Sequence, residues 1–195
     1  MARSAPSTRR RTRALRILVL AVTGALAALV VATPAQAAYC GITWGSLPKT
    51  AAVSNPAGDY ITNIRAGQNT CYDRLVIDLG NASGYNAFDV RYVDQVRSEG
   101  QGAVVPLRGG AKLSIVAKSV PVTPAGRTTY APANRAELVN VSGYRTFRQV
   151  AWAGAFEGQT TVGLGVRARL PMRAFVLSGP AAGQVRVVID VAHLW

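Results

Sequence analysis

The sequence predicts an all-β protein: a single antiparallel β-sandwich-like domain that follows a cleaved signal peptide. Three observations predict it. Apolar and polar residues alternate with a period of two from Ile61 onward, glycines and prolines separate the alternating runs, and no stretch carries the sustained apolar stripe of a helix. About nine or ten short strands over roughly 135 residues is the spacing of a sandwich or barrel, and strands with one polar side are typical of antiparallel sheets.

Residues 1–37 have the three parts of an export signal. Six arginines without an acidic residue form a basic head, an apolar run of about 16 residues follows, and small residues end the segment. The apolar run is shorter than the roughly 20 residues that span a bilayer, which favours a cleaved signal over a membrane anchor. Cleavage is expected after Ala37 or Ala38, and the Arg9-Arg10 pair leaves both the Sec and the twin-arginine routes open.

The residue before Cys40 argues against a lipid anchor. Tyr39 stands there, where lipid attachment requires a small residue. We therefore expect a protein that is secreted and either extracellular or associated with the cell wall, with membrane contact only through the uncleaved signal peptide.

Charge excludes some partners and favours others. Without the six arginines of the head, 16 of the 22 basic residues remain against 9 acidic ones, a surplus of seven positive charges. Outside the cell, such a surplus favours anionic wall polymers or lipid headgroups, and no nucleic-acid partner is expected.

Residues 38–59 are predicted to be an irregular N-terminal arm, because they are rich in Gly, Pro and Ser and lack periodicity. The only two cysteines, Cys40 and Cys71, lie in the arm and just before the strongest strand pattern. In an exported chain this arrangement predicts a disulfide that tethers the arm and stabilises the fold by roughly 3–4 kcal/mol. A catalytic thiol is the alternative, but it requires a nearby base, and the single histidine, His193, is remote in sequence.

Residues 60–195 are predicted to form the β-sandwich domain. The clearest alternating runs are residues 74–79, 88–93, 112–118 and 185–191, and the shorter candidates are residues 104–107, 138–141, 149–156, 160–167 and 173–177. A proline-rich stretch, residues 121–135, is predicted to be a long exposed loop.

The sequence offers little support for catalysis. One His and two Cys are too few for an ordinary zinc site, and neither a G-x-S-x-G nor an H-E-x-x-H motif is present. His193 is expected to be a cap or surface residue, since Asp190, three positions earlier in an extended strand, faces the other way. Glu157 is expected to be a turn residue rather than a general acid, because no second carboxylate is identified for it. The protein is therefore predicted not to be an enzyme, with no metal and no cofactor.

Binding finds more support, because arginines and aromatic residues are interleaved. Aromatic faces stack on sugar rings, and guanidinium groups pair with carboxylates or phosphates. Tyr92 is set apart as a core residue, being in phase with Phe88 and Val90. The candidate ligand-binding residues are Tyr72, Arg74, Arg91, Arg145 and Arg148.

Several segments in order resemble the AMIN domain, and more closely the AMIN-like domain of actinobacterial secreted proteins and lipoproteins. They are Tyr72-Asp73-Arg74, Tyr92-Val93-Asp94, Phe156-Glu157-Gly158 and residues 61–65, 75–79, 84–85 and 186–191, with the terminal His193. The resemblance extends from about residue 60 to residue 193. It implies a small β-sandwich that helps to place proteins in the bacterial envelope, with peptidoglycan binding attributed to AMIN domains and no activity established for the AMIN-like branch.

The leading expectation is a secreted, non-enzymatic module that binds peptidoglycan or anionic wall polymers through an Arg/Tyr sheet face. The first alternative is a protein-interaction or inhibitor module that uses sheet edges or the loop of residues 121–135. The second is an unrecognised cell-wall hydrolase, which requires a deep pocket that holds Glu157 and another acid.

Overall fold

A computed structural model describes Met1 and residues 38–54 and 58–195; the predicted signal peptide lies outside the described residues. The described chain is built from thirteen β-strands and contains no helix, which confirms the all-β prediction. The strands are β1 (Ala38–Tyr39), β2 (Ile42–Thr43), β3 (Lys49–Ser54), β4 (Tyr60–Gln68), β5 (Tyr72–Gly80), β6 (Asn86–Val93), β7 (Val96–Arg97), β8 (Val104–Val105), β9 (Ala111–Ala117), β10 (Phe147–Phe156), β11 (Gln159–Val166), β12 (Met172–Ser178) and β13 (Val185–Ala192).

Two antiparallel sheets form the sandwich. The five-stranded sheet has the order β10-β11-β9-β6-β3 and the four-stranded sheet the order β12-β13-β5-β4, while β1-β2 and β7-β8 are two-residue ribbons. One hydrophobic core joins the inner faces of both sheets, with Leu75, Ile77 and Ile189 from the smaller sheet and Leu113 and Leu164 from the larger one, all fully buried. The period-two pattern therefore predicts correctly which side chains enter the core.

The N-terminal arm is less irregular than the sequence predicts. It contributes β1, β2 and β3, and β3 pairs with β6 to form one edge of the five-stranded sheet. Two contacts fix residues 40–45 of the arm: Cys40 forms the predicted disulfide with Cys71, and Gly45 makes an isolated bridge to Met172. The disulfide, the bridge to Met172 and the pairing of β3 with β6 all join residues that are far apart in the sequence. The composition of residues 38–59 therefore did not reveal the strands β1 to β3.

Two of the shorter strand predictions differ from the structure. Residues 138–141 form no strand, although Leu138 N donates to Val150 O along the free edge of β10. Only Val104 and Val105 of residues 104–107 are paired, in the ribbon with β7. Neither segment adds a strand to the two main sheets.

The outer face of the five-stranded sheet is partly covered by the chain that links β6 to β9. Val96 from this segment is almost fully buried outside the main core cluster. Gly165 of β11 lies beneath it so closely that a Cβ atom there would come within 1.9 Å of the Arg108 carbonyl oxygen. On the outer face of the four-stranded sheet, Trp44 of the N-terminal arm packs against Tyr72, with the two ring centroids 5.8 Å apart.

This close approach predicts that Gly165→Ala destabilises the fold, because the added methyl group meets backbone that cannot rotate away. The expected loss in the free energy of unfolding is about 1–3 kcal/mol, measured by chemical denaturation. Gly67→Ala in β4 is the matched control, since its Cβ would meet no atom within 4 Å, and a change of only about 0.5 kcal/mol is expected there. Equal losses in both variants would contradict the close approach.

The loop of residues 121–135 is long, as predicted, but it is tied to the sandwich. Thr129 Oγ1 donates to Ile61 O of β4 at 2.6 Å, and within the loop Thr129 N donates to Pro121 O at 2.9 Å. Further along, Trp152 N of β10 donates to Arg135 O at 2.7 Å. The loop and the segment after it therefore occupy the free edge of β10, which shields that edge from pairing with another chain.

Candidate functional site

The outer face of the four-stranded sheet carries a row of charged residues. Leu75 and Ile77 of β5 enter the core, so Tyr72 and Arg74 lie on the opposite, outer face. In the register of the sheet Arg74 is opposite Asp190 of β13, which is in turn opposite Arg173 of β12. Three strands thus place one carboxylate between two guanidinium groups.

Asp190 is fully buried and bonded by both arginines. Arg74 donates from Nε at 2.6 Å and from Nη2 at 2.9 Å, and Arg173 donates from Nε at 2.7 Å. A buried carboxylate is tolerated only when it is paired and hydrogen-bonded in this way. The hydrogen bond to Asp190 raises the pKa of the Arg74 guanidinium above its ordinary value. Two positive charges against one negative charge leave a surplus of one positive charge at this point.

Aromatic rings surround the two guanidinium groups. The Cζ atom of Arg173 lies 5.3 Å from the ring centroids of Trp44 and Tyr72 and 5.0 Å from that of Phe175. The Cζ atom of Arg74 lies 5.1 Å from the Tyr72 ring, and its Nη2 donates to the Tyr72 hydroxyl at 3.2 Å. Cation–π contacts of this kind hold a guanidinium in one orientation. We call this set the arginine–aromatic cluster; its members are Trp44, Tyr72, Arg74, Arg173, Phe175 and Asp190.

The cluster keeps hydrogen-bond donors for a ligand. The side chains of Arg74 and Arg173 are 26% and 29% exposed, so solvent reaches both. Within the described residues, Arg173 uses only Nε for a hydrogen bond, which leaves both of its terminal nitrogens unbonded. A guanidinium that is oriented, charged and still has donors is suited to a carboxylate or a phosphate.

The other predicted arginines do not join the cluster. Arg91 lies on the outer face of the five-stranded sheet, where it is exposed and paired with Asp89. Its neighbour Tyr92 packs against the core as predicted, and burial raises the pKa of Tyr92 to about 12. Arg74 and Tyr72, which are close in sequence, are therefore also in contact. Arg91 and Tyr92 are neighbours in sequence but lie on opposite faces of their sheet.

Arg145 directly precedes β10 and Arg148 is its second residue; in the described residues neither forms a hydrogen bond or a cation–π contact with a member of the cluster. The Arg148 guanidinium donates to the carbonyl oxygens of Tyr144 and Phe147 at 3.0 and 2.8 Å, so it serves mainly to fold the preceding turn. Arg148 also lines a pocket of about 410 Å³ with Arg108 and Glu137, which form an ion pair with each other. Arg145 is exposed.

Four cluster members were missed by sequence reasoning: Trp44, Arg173, Phe175 and Asp190. Arg173 and Phe175 are two positions apart in a predicted short strand, and this spacing indicates that they lie on the same face of a sheet. No local signal placed that strand beside β13, and none brought Trp44 from the N-terminal arm onto Tyr72, with the ring centroids 5.8 Å apart.

His193 is buried, and the expectation of a cap or surface residue is wrong. Its Nε2 lies 3.0 Å from Asp73 Oδ1 and its Nδ1 lies 3.1 Å from Thr70 O. The other oxygen of Asp73 accepts hydrogen bonds from the backbone nitrogens of Thr146 and Phe147 at 2.6 and 3.0 Å. Asp73 therefore joins β5 to the start of β10 and to the residue that follows β13, a role in holding the fold.

Glu157 occupies the two-residue turn between β10 and β11, as predicted. Its φ is 48° and that of Gly158 is 80°, the pair of positive φ angles found in the tight turn of a hairpin. Among the described residues, no group of three or more His, Cys, Asp or Glu side chains is placed to hold a metal ion. The same part of the chain has no helix of sufficient length and hydropathy to cross a membrane.

Comparison with known proteins gives one match. The family model described as the AMIN-like domain matches residues 59–193. No curated protein and no solved structure matches the chain. The matched span includes five members of the arginine–aromatic cluster and the buried pair of Asp73 and His193, and it leaves Trp44 outside.

Proposed function

The chain belongs to the AMIN-like domain family, whose members occur in cell-envelope proteins, and from this premise we propose a more specific role. The protein is a secreted, non-enzymatic module that binds peptidoglycan or another anionic wall polymer through the arginine–aromatic cluster. The observation that carries the proposal is Arg173, which is held by three rings and Asp190 while its terminal nitrogens stay unbonded.

The proposed binding mode follows from the chemistry of the cluster. Arg173 and the remaining donor of Arg74 form charge-assisted hydrogen bonds to a carboxylate or phosphate of the polymer. Because Asp190 and the rings orient the guanidinium groups before the ligand arrives, little side-chain entropy is lost on binding. Tyr72 and Phe175 add apolar contact with the polymer backbone.

The cluster is partly open to water, so a single contact is weak and sensitive to salt. A wall polymer repeats its anionic groups, which allows the protein to rebind along the chain before it diffuses away. Retention on the wall is therefore expected to fall steeply as the salt concentration rises.

Sedimentation with purified wall sacculi over a salt series tests the proposal. We expect Arg173→Ala to weaken retention by about tenfold, because a hydrogen bond to a charged group contributes roughly 1.5–3 kcal/mol. Arg91→Ala is the matched control: Arg91 is an exposed, ion-paired arginine on the other sheet, and its loss leaves retention unchanged. Thermal unfolding of both variants confirms that they fold.

Sacculi stripped of their phosphate-containing polymers separate the two ligand chemistries. Unchanged retention on stripped sacculi assigns the cluster to the carboxylates of peptidoglycan, and lost retention assigns it to the phosphate polymer. The proposal is wrong if the wild-type protein is not retained at low salt, or if the two alanine variants lose retention equally.

A further inference from the structure

A second pocket lies where the loop of residues 121–135 meets the bulged edge strand β10. It has a volume of about 400 Å³, within the range of small-ligand sites. The lining residues that carry the inference are Glu99, Tyr130, Arg135, Trp152 and Gly154. None of them belongs to the arginine–aromatic cluster.

Two aromatic rings form one wall of this pocket. Tyr130 and Trp152 have their ring centroids 5.7 Å apart at an angle of 43°, and both are only partly buried against the core. Burial raises the pKa of the Tyr130 hydroxyl. The hydroxyl can donate or accept a hydrogen bond. Partly exposed rings of this kind offer an apolar face beside polar groups.

A β-bulge brings a carboxylate to the same place. The register of β10 against β11 shifts between Trp152 and Gly154, and Gly154 has a φ of 118°. The bulge lets Glu99 N donate to Ala153 O at 2.8 Å, and a Cβ atom at position 154 would come within 3.2 Å of Glu99. Bulges are frequent beside binding sites because they redirect the adjacent chain.

The Glu99 carboxylate is held in a fixed orientation. The hydroxyl of Thr161 donates to one of its oxygens, and Gln159 Nε2 donates to the other at 3.1 Å. Each carboxylate oxygen accepts more than one hydrogen bond, so acceptor capacity remains for a ligand hydroxyl. Two neighbouring strand residues thus orient a carboxylate at a pocket that also contains aromatic rings.

Arg135 supplies the opposite charge. Its backbone is anchored by the hydrogen bond from Trp152 N, and its exposed side chain forms no ion pair within the described residues. One carboxylate and one guanidinium leave the pocket without net charge. An anionic polymer therefore gains no net electrostatic attraction in this pocket. A neutral ligand with both donor and acceptor groups can form hydrogen bonds to Glu99 and Arg135.

We propose that this pocket binds a short neutral saccharide. The C–H face of a pyranose ring packs against Tyr130 and Trp152, and its hydroxyl groups donate to Glu99 and accept from Arg135. This binding is separate from the proposed contact of the arginine–aromatic cluster with anionic polymers, and neither depends on the other.

Calorimetric titration of the protein with three neutral trisaccharides, triacetylchitotriose, cellotriose and maltotriose, tests the inference. We expect saturable binding of at least one of them, with a dissociation constant of about 1 mM or below, near −4 kcal/mol. Arg135→Ala and Glu99→Gln are each expected to weaken it about tenfold, and Tyr130→Ala to weaken it further. Arg173→Ala is the control and leaves trisaccharide binding unchanged.

The outcomes separate this site from the cluster. If none of the three trisaccharides reaches saturation by about 10 mM, the inference is overturned, whatever the sacculus experiment shows. Binding that is insensitive to Glu99→Gln and Arg135→Ala but is lost in Arg173→Ala assigns the saccharide to the cluster and also overturns it.

Discussion

Replacement of Asp73 by alanine is expected to lower the free energy of unfolding by about 3–5 kcal/mol, the usual cost of removing one partner of a buried polar pair. Asp73 is fully buried and accepts hydrogen bonds from the backbone nitrogens of Thr146 and Phe147. Its second oxygen is bonded to His193. The variant leaves all three partners in the interior without an acceptor, and water does not reach them.

Equilibrium denaturation of Asp73→Ala and of a matched control measures this loss. The control is Asp89→Ala, because Asp89 is also paired with a cation but lies at the surface beside Arg91. Exposed ion pairs contribute about 0–1 kcal/mol, so the control is expected to remain close to the wild type. The structural role assigned to Asp73 is refuted if the two variants differ by less than the error of the measurement.

The expected loss of stability on Asp73→Ala indicates a structural role for one of the segments that resemble the AMIN-like domain. A domain of this length has a total stability of about 5–15 kcal/mol, so the loss of Asp73 removes a large fraction of it. Asp73 and His193 both belong to segments that resemble the AMIN-like pattern, and the structure gives them a role in holding strands together. Arg74 and Asp190, from the same two segments, lie on the outer face and contribute to the cluster.

The second large effect is expected on removal of the disulfide. The double variant Cys40→Ser, Cys71→Ser is predicted to lose about 3–4 kcal/mol, because an open loop of this length gains entropy in the unfolded chain. The two cysteines are separated by 31 positions, with their Cα atoms 6.3 Å apart. Trp44 lies only four residues after Cys40 and packs on Tyr72, so a looser arm also weakens the support of Arg173.

Two measurements check this prediction. Denaturation of the wild type with and without a reductant is expected to reproduce the loss, whereas the double variant is expected not to respond to the reductant. Sacculus retention of the double variant is expected to fall, since the Trp44 ring is one of three against Arg173. Full retention together with full stability would show that the arm is held by packing alone.

The strand pattern shows how far local sequence reasoning reaches. Leu75, Ile77 and Leu79 are the apolar side of the alternating run 74–79, and all three are buried. The same reasoning placed Glu157 in a turn and Tyr92 against the core, since these assignments depend on neighbours only a few residues away. It failed at β3, where the sequence Lys49-Thr50-Ala51-Ala52 has no clear alternation and the strand exists because β6 offers a ladder.

The candidate site shows where such reasoning ends. Tyr72 and Arg74 were identified because arginine and aromatic residues are interleaved there, but Arg91, Arg145 and Arg148 satisfied the same criterion and lie elsewhere. Arg173 and Asp190, which give the cluster its charge, come from two strands far along the chain. His193 was judged against Asp190, its neighbour in sequence, whereas its partner Asp73 lies 120 positions away.

Strand alternation and turn residues depend on near neighbours, and the disulfide was inferred from a single pair of cysteines behind a predicted export signal. From these features the sequence alone determined the all-β class, the apolar side of the main strands and the disulfide. The order of strands, their register and the neighbours of each polar side chain depend on which distant segments pair, because cross-strand contacts bring together residues with no local relation. Only the tertiary structure therefore decided that one buried carboxylate gathers two arginines and three rings on a single open face.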